Sequence, residues 1–247
     1  MPRLTPKAGP GRPEHLLVAS PGRDIAVTSV VVALTAAVFA AVADPSGLAR
    51  IQRLDNDWLH LMVANRLAPV TALAMLLNVL GLVPVTLPVR IALAGYLALR
   101  RRWWHLTAFA AAVIMSEILI GTLKGAYDRA RPPDSLVATS GASFPSGHSI
   151  AASVTVVAAV IALVPPGRRR AAWGAAAVAF SVLMALSRAY LGAHWLSDAV
   201  AGVLLGTSCA LLAALTVGLL QRRWTRRRHA GPGSEPAPDM TLPVDQR

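Results

Sequence analysis

The chain has 247 residues, of which 55% are hydrophobic and only 15% are charged, and its mean hydropathy is +0.53. Soluble domains usually carry about 25% charged residues, so this composition excludes an ordinary soluble protein and indicates an integral membrane protein. The net charge of +12 comes from short basic clusters between apolar runs, which is typical of cytoplasmic loops. We therefore predict an all-α, polytopic membrane helix bundle and no nucleic-acid partner.

The first residues predict a tail, a membrane span and an interfacial helix. Residues 1–23 are rich in Pro, Gly and Arg, which predicts a disordered cytoplasmic tail. The uncharged run from Ile25 to Ala43 is long enough to cross the roughly 30 Å hydrocarbon core once. Residues 44–67 mix charges with apolar residues at helical spacing, which predicts a helix that lies in the interface.

The apolar stretch over residues 68–99 has an unusual length. As one helix it would extend for about 48 Å, which is too long for one span and too short for two. Pro84 and Pro88 are predicted to break this helix. We expect an interfacial or re-entrant first half, followed by a second span that ends at Arg100.

The second half of the chain predicts four more spans, which gives six transmembrane helices in all. We expect a six-helix membrane domain over residues 24–221 and a basic, then disordered cytoplasmic tail over residues 222–247. The four further runs extend from about Trp104 to Leu123, from His148 to Pro165, from Ala171 to Leu186 and from Ala199 to Leu220.

The basic residues predict the orientation of the bundle in the cell (inner or plasma) membrane. They concentrate in both terminal segments and in two turns, at residues 100–102 and 168–170. The positive-inside rule therefore places both termini in the cytoplasm. It also places three short polar clusters, which lie between residues 124 and 198, together on the outer face.

Two charged residues interrupt the predicted spans. Arg90 could partner a carboxylate or line a conduit, or it could snorkel to the interface. Glu117 lies seven residues before Lys124 and on roughly the same helix face. It could pair with a cation of the site or make a structural hydrogen bond within the bundle.

The three polar clusters contain residue types that are suited to phosphate chemistry: cations, histidines and a carboxylate. Each cluster lies at the edge of an apolar run. They are Lys124 with Arg131 and Pro132; Pro145, Ser146, Gly147 and His148; and Ser187, Arg188, His194 and Asp198.

The third cluster predicts a histidine nucleophile. His194 and Asp198 are four residues apart, so they share one face at the start of the last span. The carboxylate can accept the ring N–H and leave the other nitrogen as a nucleophile or base. The chain between His148 and Ser187 is long enough for one helix that crosses inward and one that returns, so the two residues come close together. His148 can then protonate a departing oxygen.

The remaining polar groups predict a phosphate clamp. Lys124, Arg131 and Arg188 supply positive charge, and guanidinium groups match phosphate oxygens in a bidentate way. Gly147 precedes a helix start, whose free N–H groups and dipole attract an anion. Because these cations can neutralise a transition state, we expect no metal and no cofactor.

Together, the clusters resemble the signature of the type 2 phosphatidic acid phosphatase (PAP2) superfamily. Six residues separate Lys124 from Arg131, five separate Arg188 from His194, and three separate His194 from Asp198. No signature position is altered, although the gap between the first two clusters is short for this family.

The resemblance implies a six-helix membrane phosphatase with a phosphohistidine intermediate. His194 would attack phosphorus, Asp198 would orient it, and His148 would protonate the leaving alcohol or phosphate. Water would then release phosphate. The resemblance also implies which groups hold the phosphoryl oxygens: Lys124, Arg131, Ser146, the Gly147 backbone and Arg188.

Other interpretations stay open at this point. Tyr127, Asp128 and Arg129 are interpreted as solvated loop residues. A transporter would also carry charges in its spans, but it would not need a nucleophile, an acid and a clamp together. A lipid phosphotransferase with the same intermediate and a non-catalytic binding protein are alternatives.

The predicted partners are a phosphorylated lipid substrate and the membrane lipids. A site at the outer interface suits an amphiphile whose phosphate lies at headgroup depth. The resemblance implies an isoprenoid diphosphate such as undecaprenyl diphosphate, phosphatidic acid or phosphatidylglycerol phosphate.

Overall fold

The computed structural model of the protein describes residues 15–229, with side chains described as far as residue 227. Most of the two predicted disordered tails, residues 1–14 and 230–247, lies outside the described residues. The described part contains helices and no strand. The helices are α1 (Pro21–Ala43), α2 (Pro45–Ala64), α3 (Ala68–Leu80), α4 (Val83–Leu99), α5 (Trp103–Tyr127), α6 (Gly147–Leu163), α7 (Arg168–Tyr190) and α8 (Leu196–His229).

Several of these helices can cross a membrane. α1, α5, α7 and α8 are each long and apolar enough, and the pair α3 and α4 makes a fifth candidate if it counts as one bent span. α6 is apolar but has only 17 residues, which is the lower end of the roughly 17–25 residues that span a bilayer. The chain is therefore a multi-pass membrane protein, and the six spans stay a prediction.

The break in the stretch 68–99 lies at a different place from the predicted one. α3 and α4 are bent by 55° at Gly81 and Leu82, before either proline. Pro84 stands in the first turn of α4, where a helix does not need the missing N–H. Pro88 follows one turn later inside α4, which accommodates it with the loss of one intrahelical hydrogen bond.

Small residues let α6 and α8 pack closely in the centre of the bundle. A Cβ atom at Gly202 would lie 2.7 Å from the carbonyl oxygen of Ser146, and one at Gly206 would lie 2.6 Å from that of Ile150. Both distances are too short for a real side chain, so only glycine fits here. This contact places the first residues of α6 beside the first residues of α8.

The charges that interrupt the spans pair with each other. Nη1 of Arg90 in α4 donates a 2.7 Å hydrogen bond to Oε1 of Glu117 in α5. Nε of Arg90 also donates to Oγ1 of Thr155 in α6 at 2.9 Å. Arg90 thus has the carboxylate partner that its sequence position allowed, and Glu117 bonds within the bundle.

Candidate active site

The three polar clusters meet at one end of the bundle. Nζ of Lys124, near the end of α5, donates to the carbonyl of Ala142 in the loop before α6. The N–H of Ser146 donates to the carbonyl of Asp198 in the first turn of α8. The N–H of His194 donates to the carbonyl of Arg188 near the end of α7. Four helix ends therefore contribute to one polar site.

His194 lies just before α8, and its surroundings fix its tautomer. Nδ1 lies 2.7 Å from the carbonyl oxygen of Ser143. A carbonyl oxygen only accepts hydrogen bonds, so Nδ1 carries the proton and Nε2 has the lone pair. Nε2 faces Nη1 of Arg131 at 3.4 Å. Nε2, the nitrogen with the lone pair, therefore accepts a long hydrogen bond from a cation of the site.

His194 and Asp198 lie next to each other as expected, but the contact between their side chains is long. Nδ1 of His194 is 3.7 Å from Oδ2 of Asp198, beyond hydrogen-bond distance. Oδ2 instead accepts hydrogen bonds from Oγ of Ser143 and from the N–H of Trp195. Asp198 thus holds Ser143, and the Ser143 carbonyl orients the histidine.

Arg129 is not a solvated loop residue, contrary to the sequence interpretation. It is 8% exposed. Its Nη1 donates to Oδ1 of Asp198 at 2.7 Å, and its Nη2 donates to Oδ2 of Asp55 at 2.8 Å. Asp55 belongs to α2 and also accepts hydrogen bonds from the N–H and Oγ of Ser197. This guanidinium therefore compensates the charge of two buried carboxylates, which stabilises the inward orientation of the Arg129 side chain.

Tyr127 and Asp128, the two residues before Arg129, have different surroundings from each other. Tyr127 ends α5, packs on Phe39 and Phe144, and donates a hydrogen bond to the carbonyl of Phe39. Tyr127 is thus part of the packed bundle, so the solvated interpretation is wrong for it as well. Asp128 is exposed, as expected, and its backbone is left-handed with φ of 34°.

Arg131 cross-links the loops of the site. Its Nε and Nη2 donate to the carbonyls of Gly141 and Ser140, at 2.9 and 2.7 Å. Its Nη1 donates to the carbonyl of Ala193 at 2.6 Å. A bound phosphate would have to replace part of this set of carbonyl acceptors.

Arg188 lies deeper, near the end of α7, and is 3% exposed. Its Nη1 donates to Oδ1 of Asn78 in α3, whereas its Nε is buried without a hydrogen-bond partner in the described part of the chain. A buried guanidinium with an unused donor has capacity for an anionic ligand.

The second histidine, His148, stands in the first turn of α6. Its Nε2 is buried and has no partner among residues 15–229. The ring packs against Gly81 at the α3–α4 bend, where a Cβ atom would lie 3.0 Å from Cγ of His148. The bend therefore leaves room for the ring, which lies within electrostatic range of Arg188 and His194.

The start of α6 offers backbone donors. No side chain caps this helix end, and the first N–H groups, at Gly147, His148 and Ser149, have no backbone acceptor among the residues that the structure describes. Ser146 is fully buried and its Oγ accepts a hydrogen bond from Ser149. The hydroxyl of Ser146 thus lies in the α6–α8 contact, and its predicted role in holding phosphate stays a prediction.

Burial sets the protonation of His194. Desolvation lowers the pKa of His194 to about 4, although the neighbouring Asp198 carboxylate opposes this shift. Burial also lowers the pKa of Arg131, which stays charged at neutral pH. At pH 7 the site therefore presents a neutral imidazole next to positive charge. Within residues 15–229, no three His, Cys, Asp or Glu side chains are grouped to hold a metal ion.

The comparison with protein families agrees with this arrangement. The profile of the PAP2 superfamily matches residues 103–222, which include all three polar clusters. This segment belongs to the PAP2 superfamily. The match extends from the start of α5 into the basic end of α8, so it omits α1 to α4, which supply Asp55 and Asn78 to the site.

A curated protein that matches this segment is a lipid phosphatase. The chain is 36% identical over 114 residues to the lipid A 1-phosphatase of Rhizobium johnstonii. This match covers 42% of the chain and 44% of the relative, so the chain spans less than half the length of the curated relative that it matches.

Two solved structures show the same fold. The first transmembrane PAP2 type phosphatidylglycerolphosphate phosphatase from Bacillus subtilis has a TM-score of 0.66 and 24% identity, over 79% of this chain and 96% of that one. LpxE of Aquifex aeolicus has a TM-score of 0.54 and 20% identity, over 65% of this chain and 94% of that one. The helical arrangement is therefore one that these two solved proteins share.

Proposed function

We propose that the protein is an integral membrane lipid phosphatase that forms a phosphohistidine at His194. The observation that carries the proposal is the state of this side chain. Nδ1 donates to the Ser143 carbonyl at 2.7 Å, and Nε2, with its lone pair, faces Arg131 at 3.4 Å. A neutral imidazole with Nδ1 fixed is suited to attack a phosphorus atom through Nε2, once a bound phosphoryl group takes over the Arg131 N–H that Nε2 now accepts.

In the first step, Nε2 of His194 forms a bond to phosphorus while the bond from phosphorus to the leaving oxygen breaks. His148 gives a proton to this oxygen, so it must be protonated when the substrate binds. A phosphate dianion raises the proton affinity of a nearby imidazole, because opposite charges favour the charged form. The alcohol or phosphate of the lipid leaves, and phosphate stays on His194.

In the second step, water attacks the phosphohistidine. The neutral His148 takes a proton from this water as a base. The bond between Nε2 and phosphorus breaks, inorganic phosphate leaves, and both histidines return to their starting state. Lys124, Arg131 and Arg188 neutralise the phosphoryl oxygens in both steps, together with the N–H groups at the start of α6.

We further propose that the site faces the outside of the cell membrane and that both ends of the chain are cytoplasmic. Three basic segments support this orientation. Arg102, Arg170 and Arg222 all bond to residues 15–19, just before α1. They therefore share one end of the bundle, and a cytoplasmic position for that end agrees with the positive-inside rule.

The first test is phosphate release by the full-length protein in detergent, with EDTA present. The substrates are undecaprenyl diphosphate, phosphatidic acid and phosphatidylglycerol phosphate. We expect metal-independent release from at least one of them, and none from His194→Ala. Transfer of the phosphoryl group to an added alcohol, in place of hydrolysis, would favour a phosphotransferase. No release from any lipid, or equal release by the variant, would contradict the proposal.

A further inference from the structure

The last turn of α3 contacts two functional groups of the candidate active site. Nη1 of Arg188 donates a hydrogen bond to Oδ1 of Asn78. The main-chain carbonyl of Asn78 faces the His148 ring as a hydrogen-bond acceptor, and Gly81 at the following bend packs against the same ring. α3 lies outside the segment that belongs to the PAP2 superfamily, and neither proposed step of the reaction uses Asn78.

Contacts between α3 and α7 fix the position of Asn78. Leu77, the residue before it, belongs to a buried apolar cluster with Met184 of α7. In the first turn of α3, Oγ1 of Thr71 lies 2.8 Å from the hydroxyl oxygen of Tyr190, the last residue of α7. Because α3 is attached to α7 near both of its ends, Asn78 has little freedom to move relative to the last turns of α7.

The contact with Asn78 uses one end of the Arg188 guanidinium and leaves one edge unused. A guanidinium has only donors, so the amide atom that faces Nη1 is the oxygen. Nε of Arg188 is buried without a hydrogen-bond partner among residues 15–229, and together with Nη2 it forms the side-on edge of the group. An edge of this kind binds a phosphoryl group through two parallel hydrogen bonds. Asn78 therefore holds Arg188 at an atom that this binding mode does not need.

The amide of Asn78 orients Arg188 without neutralising its charge. Within the described residues, Oδ1 of Asn78 is the one acceptor for the Arg188 side chain, which is 3% exposed. Arg129, by contrast, donates to the carboxylates of Asp55 and Asp198. A carboxylate in the place of Asn78 would compete with phosphate for the guanidinium, whereas a neutral amide leaves the charge of Arg188 available for the ligand.

We propose that Asn78 is a positioning residue for the reaction, which holds Arg188 so that the Nε–Nη2 edge of the guanidinium faces the phosphoryl group. Asn78 acts through Arg188 and not by contact with the reacting atoms. A donor that is oriented in advance needs no reorganisation when charge develops in the transition state, so its orientation affects kcat. The inference rests on the proposed phosphatase function and adds a residue of α3 to it.

The test measures kcat and KM of the full-length protein in detergent, with a lipid phosphate that it hydrolyses. Asn78→Leu removes the acceptor at a similar side-chain volume, and Asn78→Ala removes it with a smaller side chain. Asn78→Asp keeps the acceptor but adds a negative charge. Asn65→Leu is the matched control, because Asn65 is an exposed asparagine directly after α2. Thermal unfolding in detergent shows which variants are folded, and the kinetics of the folded variants decide.

We expect Asn78→Leu and Asn78→Ala to lower kcat by about tenfold to a hundredfold, because a misplaced catalytic group has an effect of this size. Asn78→Asp should keep kcat within about threefold and raise KM, because its carboxylate still orients Arg188 but competes with the phosphate of the substrate. The control should change neither kcat nor KM by more than about twofold.

Two results would overturn the role of Asn78 while the phosphatase function stands. One is an unchanged kcat in the folded Leu or Ala variant. The other is a loss of kcat in Asn78→Asp that equals the loss in Asn78→Leu, because the acceptor atom would then not matter. No phosphate release by the unaltered protein would overturn the proposed phosphatase function, and the role of Asn78 with it.

Discussion

Arg129 donates a 2.7 Å hydrogen bond to Oδ1 of Asp198, and both side chains are buried. The same guanidinium donates to Asp55, so one cation serves two buried carboxylates. This links α2 to the first turn of α8, directly after the candidate nucleophile His194. Arg129 belongs to the same loop as Arg131, but Arg129 has a structural role, since it bonds to carboxylates of the protein.

The first prediction concerns the stability of this network. Arg129→Met should lower the free energy of unfolding by about 3–5 kcal/mol, because it leaves two buried carboxylates without their cation. Arg53→Met is the matched control, since Arg53 is an exposed arginine of α2, and it should change stability by no more than about 0.5 kcal/mol. Denaturant unfolding in detergent measures both. Equal effects of the two substitutions would contradict the role of Arg129.

The second prediction concerns Ser143, which connects Asp198 to His194. Ser143→Ala keeps the carbonyl that accepts from Nδ1 but removes the hydroxyl that donates to Asp198. A hydrogen bond to a buried charged group contributes roughly 1.5–3 kcal/mol. We expect kcat to fall about tenfold, because part of this energy holds His194 in its reactive orientation. Ser140→Ala, an exposed side chain in the same loop, should leave kcat within about twofold. A normal kcat for Ser143→Ala would show that the loop holds His194 without Asp198.

The third prediction concerns the protonation of His194. Burial lowers its pKa from 6.5 to about 4, so folded His194 should stay neutral at about pH 5.5. NMR titration of ¹³C-labelled histidine, assigned with His194→Gln, measures this directly. Between the unfolded pKa of 6.5 and the folded pKa of about 4, the unfolded state binds a proton that the folded state does not, so His194 also makes the protein less stable as the pH falls through this range. A titration midpoint at or above the unfolded value would contradict the burial argument.

The fourth prediction concerns the α6–α8 contact. Gly206→Ala should destabilise the protein by about 1–3 kcal/mol, because the new Cβ atom collides with the backbone of α6. Gly121→Ala in α5 is the matched control, since a Cβ there meets nothing within 4 Å. This control should be neutral or stabilising by up to about 1 kcal/mol. Thermal unfolding in detergent measures both variants. Equal unfolding temperatures would contradict the close approach of α6 and α8 at Gly206.

The sequence was sufficient to find the candidate site because its signature is local. His194 and Asp198 lie one helical turn apart, and the three clusters fall at the ends of apolar runs, so both spacing and topology bring them together. The helices α1, α5, α6, α7 and α8 follow the predicted apolar runs closely. Apolar runs of this length form helices in a membrane because only helices satisfy their own backbone there.

The partners that complete the site could not be found this way, since they depend on long-range packing. Asp55 meets Arg129 across 74 residues, and the Ser143 carbonyl meets His194 across 51 residues. Neither contact leaves a periodic pattern in the sequence. One signal was available for Arg129: a charged residue in a short connection between spans has to be either solvated or paired. The predicted position of the α3–α4 bend is wrong because Pro84 lies in a first turn, where a helix tolerates proline, and because α4 accommodates Pro88.

The most direct test of the account is the detection of a phosphoenzyme on His194. The full-length protein is mixed with a ³²P-labelled lipid phosphate that it hydrolyses, quenched at alkaline pH within milliseconds, and digested for mass spectrometry. We expect an acid-labile, base-stable phosphohistidine at position 194. Turnover of the lipid without any phosphoenzyme, or with the phosphoryl group on another residue, would contradict the assignment of His194 as the nucleophile.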